Sequence, residues 1–416
     1  MQGDISRCAR LRRQSRTLLA RGAARRGYAW GLAAVALLYW FMAVALALRL
    51  TQHSAHDSYT LQAMVWRSGH IALPENYDWL ELAFYKGRYY VSFPPFPTVP
   101  MWVLTFLFGA NTPSMLVNFL MLLGSYTVGY AIARERGQSD GMAAAFAAFW
   151  VVGCNLLEVS LYGGVWNMAQ GMAFLLTMLA AYGTLKPRGA WGMAGPLCLA
   201  CAVGCRPFQA VYVPVVLWAL WQGRRVPGEP LCATLRRVCP ALIAPALMAC
   251  AYAAYNWVRF DNPLEFGHNY LPEFIEAEQG QFSLAYVGQN IANILRLPAF
   301  ENGRLRFPAA YGFAFYLCNP LFLLAAARVL ETLARKRRLE AFEGLLLACA
   351  GVHFFLLLLH KSFGAWQFGT RYLIDLLPML GLLALYAKKP IRVWEGFVML
   401  WGVAFNVYGG LLFHLL

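Results

Sequence analysis

Four carboxylates, Asp57, Glu75, Asp78 and Glu81, fall within residues 52–100, a polar and aromatic stretch between strongly apolar ones. A carboxylate at a membrane boundary can take a proton from an attacking alcohol or bind a hard cation. Asp57 comes first, just beyond the first long apolar run. It could equally cap a helix, because Asp-Ser-Tyr-Thr leads into a helical pattern at Ala63 and Val65. His53 and His56 stand beside it. With Asp57 they could ligate a divalent cation, although loop histidines are more often solvated. Glu81 opens a second group, ELAFYKGRYYVSFPP. Its Tyr85, Tyr89 and Tyr90, with Tyr59 upstream, could stack on sugar rings or sit at headgroup level. Lys86 and Arg88 could hold a lipid phosphate, or flank a solvated hairpin turn at Gly87.

Two arginines further along are more specific. Arg206 ends an apolar run and precedes Pro207, where a cation needs a partner or must snorkel to water. A lipid phosphate is one such partner. Arg371 lies in FGTRYLIDLLP, and Asp375 four residues on makes a helical Arg371–Asp375 pair the simplest expectation. His268, in EFGHNY, and His360-Lys361 are weaker candidates.

The elements that must position these groups are apolar helices. Of 416 residues, 60% are hydrophobic and 13% charged, against about 25% charged in a soluble domain. Several runs reach the roughly 17–25 residues that cross a bilayer. The alternating segments of a β-barrel and a solenoid repeat are both absent from the sequence. The fold class is therefore an all-α polytopic membrane protein. Eleven spans are expected, near 29–49, 113–133, 141–156, 166–185, 191–205, 207–221, 239–256, 308–327, 343–360, 372–387 and 393–413. This places 24 of the 35 Lys and Arg residues inside, as positive-inside topology requires. Counting 95–109 as a span would put the later basic loops outside, so that proline-broken segment reads as an interfacial or re-entrant helix.

Residues 1–28 then form a basic cytoplasmic arm and 29–416 a single integral-membrane domain, with outer loops at about 50–112 and 257–307. The apolar run after the arm is too long for a signal-peptide core, so the arm reads as a topology signal. Its eight arginines suit anionic membrane lipid better than nucleic acid, which is not an expected partner. The ten cysteines form no disulfide framework, and Cys198, Cys201 and Cys205 share a helix face as small packing residues. No phosphate-binding loop, dinucleotide fingerprint or zinc-protease motif occurs.

Four segments in order resemble the GT-C glycosyltransferases, polytopic enzymes that use polyprenyl-phosphate sugars, such as protein O-mannosyltransferases and aminoarabinose transferases of lipid A. DSYTLQAMVWRSGHI is similar to the family's Asp-x-x-Tyr…Ala…Gly pattern, and ELAFYKGRYYVSFPPFPTVP to its Tyr-x-Gly-x-Tyr…Pro-Pro segment. YNWVRFDNPLEFGHNY and FGTRYLIDLLP are similar to its Tyr-Asn…Asn-Pro and Arg-Tyr…Pro segments. The resemblance implies Asp57 as catalytic base and a donor phosphate held at the outer face by Arg206 and Arg371. It implies as partners a polyprenyl-phosphate-linked sugar and an acceptor glycan, lipid or protein, in cell-envelope glycan biosynthesis at the inner membrane. Some members carry a second acid beside the first, where this chain has His56 and Ser58. Glu81 could replace it, with His53, His56 and His268 as further acceptor or metal candidates. No cofactor is certain, and a divalent cation stays a candidate. No large soluble C-terminal domain follows in the sequence, so peptide recognition of the oligosaccharyltransferase kind is not expected.

The expected activity is hexosyl or pentosyl transfer with inversion. A lipid-linked saccharide flippase or glycan polymerase is the alternative from another class. A transporter would carry ionisable groups deep in several spans, whereas here charges lie mostly at span ends. A non-catalytic envelope subunit would keep the same topology.

Overall fold

The computed structural model describes residues 26–301, 303–336, 338–364 and 366–415. The rest of the basic arm lies outside them. The protein is an all-α polytopic membrane protein, with two small hairpins among the described residues. Helix α1, Arg26–Ala45, leads to an outer layer of α2 (Ser58–Arg67), the hairpin β1 (Leu82–Tyr85) and β2 (Arg88–Val91), and α3 (Thr98–Phe108). Then come α4 (Ser114–Glu135), α5 (Asp140–Val152), α6 (Leu156–Ser160), α7 (Val165–Leu185), α8 (Gly189–Val203), α9 (Val213–Arg224), α10 (Leu231–Val238) and α11 (Pro240–Phe260). A second loop layer carries α12 (Pro272–Ile275), α13 (Val287–Leu295) and the hairpin β3 (Ala299–Glu301) and β4 (Arg304–Arg306). The chain closes with α14 (Phe315–Cys318), α15 (Leu321–Lys336), α16 (Ala341–Leu358), α17 (Leu377–Tyr386) and α18 (Val393–Leu415).

Six of these, α1, α4, α7, α11, α16 and α18, are long and apolar enough to cross a membrane. Burial sorts them: 72% of the apolar window of α7 is inside the protein against 17% for α11. Thus α7 is the hub and α11 faces lipid. Several expected spans are shorter helices. Pro207 and Pro214 keep 207–212 in a tight 3-10 turn before α9, and 371–376 is likewise 3-10 before α17. The expected span at 308–327 is corrected: its first half is irregular, and the helix runs instead over α15, Leu321–Lys336. Gly312 at φ 86° and Pro320 break the run, and apolarity alone does not make a helix.

The interfacial helix expected at 95–109 is α3. Its Val99, Trp102, Val103, Phe106, Leu107 and Phe108 are exposed, while Arg67 of α2 donates to the Thr105 carbonyl at 2.6 Å. So α2 and α3 pack as a pair with an apolar outer face, the form of a helix pair lying along a bilayer surface.

Two ends of the helical body differ. At one, Arg136 donates to the Tyr386 carbonyl, Gln138 to that of Lys389 and Arg188 to that of Gly223. These are the segments expected inside. At the other end the segments expected outside meet around a cavity.

Candidate active site

Three glutamines and an asparagine build the wall that carries Arg371. Asn155 donates to the Phe368 carbonyl at 2.9 Å and accepts from Asn319 at 2.7 Å and from the Thr370 amide at 3.2 Å. Gly369, at φ 69°, lets the backbone pass over it; a Cβ there would lie 2.3 Å from the Asn155 amide nitrogen. Gln367 accepts the Arg371 amide at 2.9 Å. Gln170 of α7 donates to the Arg371 carbonyl at 2.7 Å and to the Asp375 carboxylate at 3.0 Å. Gln209 donates to the Asp375 carbonyl at 3.0 Å. The segment 368–375 that carries the arginine is therefore held by four side chains, two of them, Gln367 and Gln170, on the Arg371 backbone itself.

The expected Arg371–Asp375 pair does not form. A 3-10 turn over Arg371–Leu376 takes residues four apart off a common face. Asp375 pairs instead with Arg206, across 169 residues, at 2.9 Å. Both guanidiniums face the ring of Tyr372, Arg206 at 4.8 Å and Arg371 at 5.6 Å from its centroid. Arg371 has no carboxylate partner among the described residues, and its Nε is buried without a hydrogen bond.

The cavity they line measures 490 Å³, within the usual range of about 300–1,000 Å³ for ligand sites. Around it stand His56, Glu81, Glu158, Trp166, Arg206, His268, Glu273, Arg371, Tyr372 and His414. Glu81 is exposed to the cavity and accepts from the Trp166 indole at 2.9 Å. Glu273 sits opposite, its carboxyl raised above the usual range by burial and by Glu81. His414 meets Glu158 at 3.0 Å. A second cavity of 480 Å³ shares Phe93, Trp166, Arg206, His268 and Tyr372 with the first. Burial pushes the His268 imidazole down to about 3, so that wall residue is neutral at pH 7.

Asp57, the expected base, lines neither cavity. It is the N-cap of α2: one oxygen accepts the Tyr59 and Thr60 amides, each at 3.1 Å, and the other the Thr60 hydroxyl at 2.6 Å. Its side chain is fully buried, and burial raises its pKa to about 6. His53 lies 3.7 Å away but meets the Thr112 carbonyl at 3.0 Å. A divalent cation does not fit these residues. The Asp57 oxygens are spent on the cap, and among the described residues no three His, Cys, Asp or Glu side chains could hold a metal ion.

Other expected contacts are also displaced. Lys86 and Arg88 flank the β1–β2 turn away from the cavities, and Lys86 pairs with Asp261 at the end of α11. Tyr85 packs on Phe260 and Tyr270, Tyr90 on Phe260, and Tyr89 on Phe84. Tyr59 is fully buried. The aromatic rings that line the cavity are instead Trp166, Tyr372, Phe93, Phe274, Tyr162 and Trp366. Glu158, Trp166, Glu273 and His414 escaped sequence reasoning. Only Glu158, a carboxylate in an apolar run, carried a visible signal.

No family model matches the chain, and no curated protein matches it. Among solved structures it is similar to ArnT from Cupriavidus metallidurans in the apo state, at 18% identity and a TM-score of 0.49, over 88% of this chain and 60% of that one. The same protein bound to undecaprenyl phosphate gives 18% and 0.49, over 87% and 60%. The oligosaccharyltransferase AglB from Archaeoglobus fulgidus, in complex with an inhibitory peptide and a dolichol-phosphate, gives 15% and 0.43, over 93% and 55%. The chain spans about 60% of the length of ArnT and 55% of that of AglB.

Proposed function

We propose that the chain is a membrane glycosyltransferase that moves a sugar from a polyprenyl phosphate to an acceptor hydroxyl at the outer membrane face. The observation that carries this reading is Arg371, a guanidinium without a counter-ion on a polar cavity wall, with Arg206 beside it across Tyr372. Such a pair suits a phosphate, which takes hydrogen bonds from guanidinium in a fork. The sugar's bond to phosphate breaks as the acceptor oxygen bonds to the anomeric carbon. The phosphate leaves as a polyprenyl phosphate whose charge Arg371 and Arg206 stabilise. The acceptor's proton passes to a carboxylate, and of the cavity's glutamates Glu81, exposed and held by the Trp166 indole, is the proposed base. Single displacement makes the transfer inverting. Residues 29–416 act as one domain, and the basic end lies in the cytoplasm.

A second reading keeps Asp57 as the base. It is favoured by a carboxyl pKa of about 6, in the range that suits a general base near neutral pH. It requires the cap to open, because the carboxylate is sealed from the cavity.

The test is transfer from labelled polyprenyl-phosphate sugar in membranes carrying wild type, Glu81→Gln or Asp57→Asn. Asn caps a helix as well as Asp, so the second variant keeps α2 intact. The first reading expects loss with Glu81→Gln and transfer retained with Asp57→Asn. The reverse pattern gives the base to Asp57. Movement of lipid-linked sugar across vesicles with no transfer product would replace both readings with transport.

A further inference from the structure

The basic end holds a cavity of another kind. It measures 550 Å³ and is lined by Arg188, Arg224, Arg236 and Arg237, with Gly189, Met193, Val226 and Pro240. The four cations come from three places: the turn before α8, the last turn of α9, and α10. Three are already engaged by backbone, Arg237 among them through the Arg224 carbonyl at 3.3 Å. Arg188 donates to the Gly223 carbonyl at 2.5 Å and Arg224 to the Pro187 carbonyl at 2.9 Å. Those bonds hold the heads in place without neutralising them. Arg237 alone has a carboxylate, Glu229, at 2.6 Å. Arg236 is exposed and has neither ion pair nor hydrogen bond among the described residues.

Like charges gathered at one rim repel each other, so the cluster is most stable with an anion present. The surroundings say which anion. Helix α10 joins the lipid-facing α11 and presents Leu231 (63% exposed) and Leu235 (43%) on its outer side. On α11, Ile243 and Leu247 continue the apolar surface away from the arginines. A ligand that fits has a phosphate at one end and an acyl chain at the other. An amphipathic helix with basic and apolar faces has the form that lies in a headgroup layer.

We propose that this cavity is a binding site for the phosphate headgroup of an anionic membrane phospholipid, on the face opposite the candidate active site. The phosphate sits among Arg188, Arg236 and Arg237, and the acyl chain lies along Leu235 and Ile243. The site is independent of the glycosyl-transfer reading.

The test uses the full chain in detergent, titrated with phosphatidylglycerol or phosphatidylcholine, with bound lipid counted by native mass spectrometry. Wild type should retain phosphatidylglycerol in preference to phosphatidylcholine. Arg236→Ala should weaken retention about five-fold, and Arg188→Ala with Arg236→Ala about twenty-five-fold, following the usual attraction per juxtamembrane cation. Arg335→Ala with Lys336→Ala removes the same charge from the same end, outside the cavity, and should leave retention unchanged. Arg236→Lys should restore most of it, which separates charge from folding. Equal losses in the Arg335/Lys336 variant would reduce the effect to general surface charge and overturn the site. Displacement of the lipid by millimolar inorganic phosphate would overturn it too, since the site would then take a free anion.

Discussion

The two ends of this protein treat their buried cations in opposite ways. At the basic end Arg328 forms a two-bond pair with Glu395, at 2.5 and 2.6 Å, and both side chains are almost fully buried. Arg392, Lys389 and Arg335 surround Glu331 at 2.6, 3.5 and 2.9 Å, and Arg392 also reaches Glu395 at 3.4 Å. Charge within that network is matched group by group. At the cavity end Asp375 matches Arg206, while Arg371 keeps a buried Nε with no hydrogen bond among the described residues. Its backbone, by contrast, is fixed by Gln170 and Gln367. The matched network welds α15 to α18 and does nothing that needs a ligand. On the proposed reading, the unmatched guanidinium, held rigidly beside an open cavity, is kept for a ligand phosphate.

The comparison can be broken at either end. The largest expected effect is at the basic end. Arg328→Ala leaves Glu395 buried and unpaired, and unfolding in detergent should show a loss of roughly 3–5 kcal/mol. Transfer per folded molecule should not change. A stable Arg328→Ala protein would mean that the network is decoration.

A second effect of similar order concerns Asp57. Its carboxyl is raised in the folded protein, so folding favours the protonated form. Stability relative to Asp57→Asn should be greatest below the ordinary carboxyl value. It should then fall as pH rises toward about 6 and stay level above, with a total change on the order of 3 kcal/mol. Parallel pH profiles of the two proteins would show that Asp57 is not sealed by the cap. The smallest effect is at Trp166, whose indole holds Glu81 at 2.9 Å. Trp166→Phe keeps the ring and removes one bond, so the rate should fall by about 1 kcal/mol, several-fold. An unchanged rate would separate Glu81 from its support.

Much of the fold was legible because lipid imposes simple rules. Apolar length and the placement of arginines gave the helical class, and the segment expected at 95–109 as a short helix rather than a span is the helix Thr98–Phe108. Span lengths were less legible, since Pro207, Pro214 and Pro320 turn apolar sequence into turns and short helices. At the site, Arg206 and Arg371 could be picked out as cations without an obvious reason to be apolar neighbours. Their partners could not. A helical reading of RYLID puts Asp375 beside Arg371, whereas the 3-10 turn hands it to an arginine 169 residues away. Asp57 illustrates the limit in the other direction. Asp-Ser-Tyr-Thr is as good a cap as it is a base, and only the contacts of Thr60 assign its oxygens. Glu158 and His414 meet from segments 256 residues apart, which no local pattern announces.

The central claim is that Arg371 is kept unmatched for a ligand phosphate. Its most direct test is Arg371→Ala, measured for unfolding in detergent and for transfer from labelled polyprenyl-phosphate sugar in the same preparation. Loss of a positioned charge stabiliser should lower transfer by about 100-fold or more, with unfolding unchanged or shifted toward greater stability. Wild-type transfer with a clear loss of stability would contradict the claim and make Arg371 a structural residue.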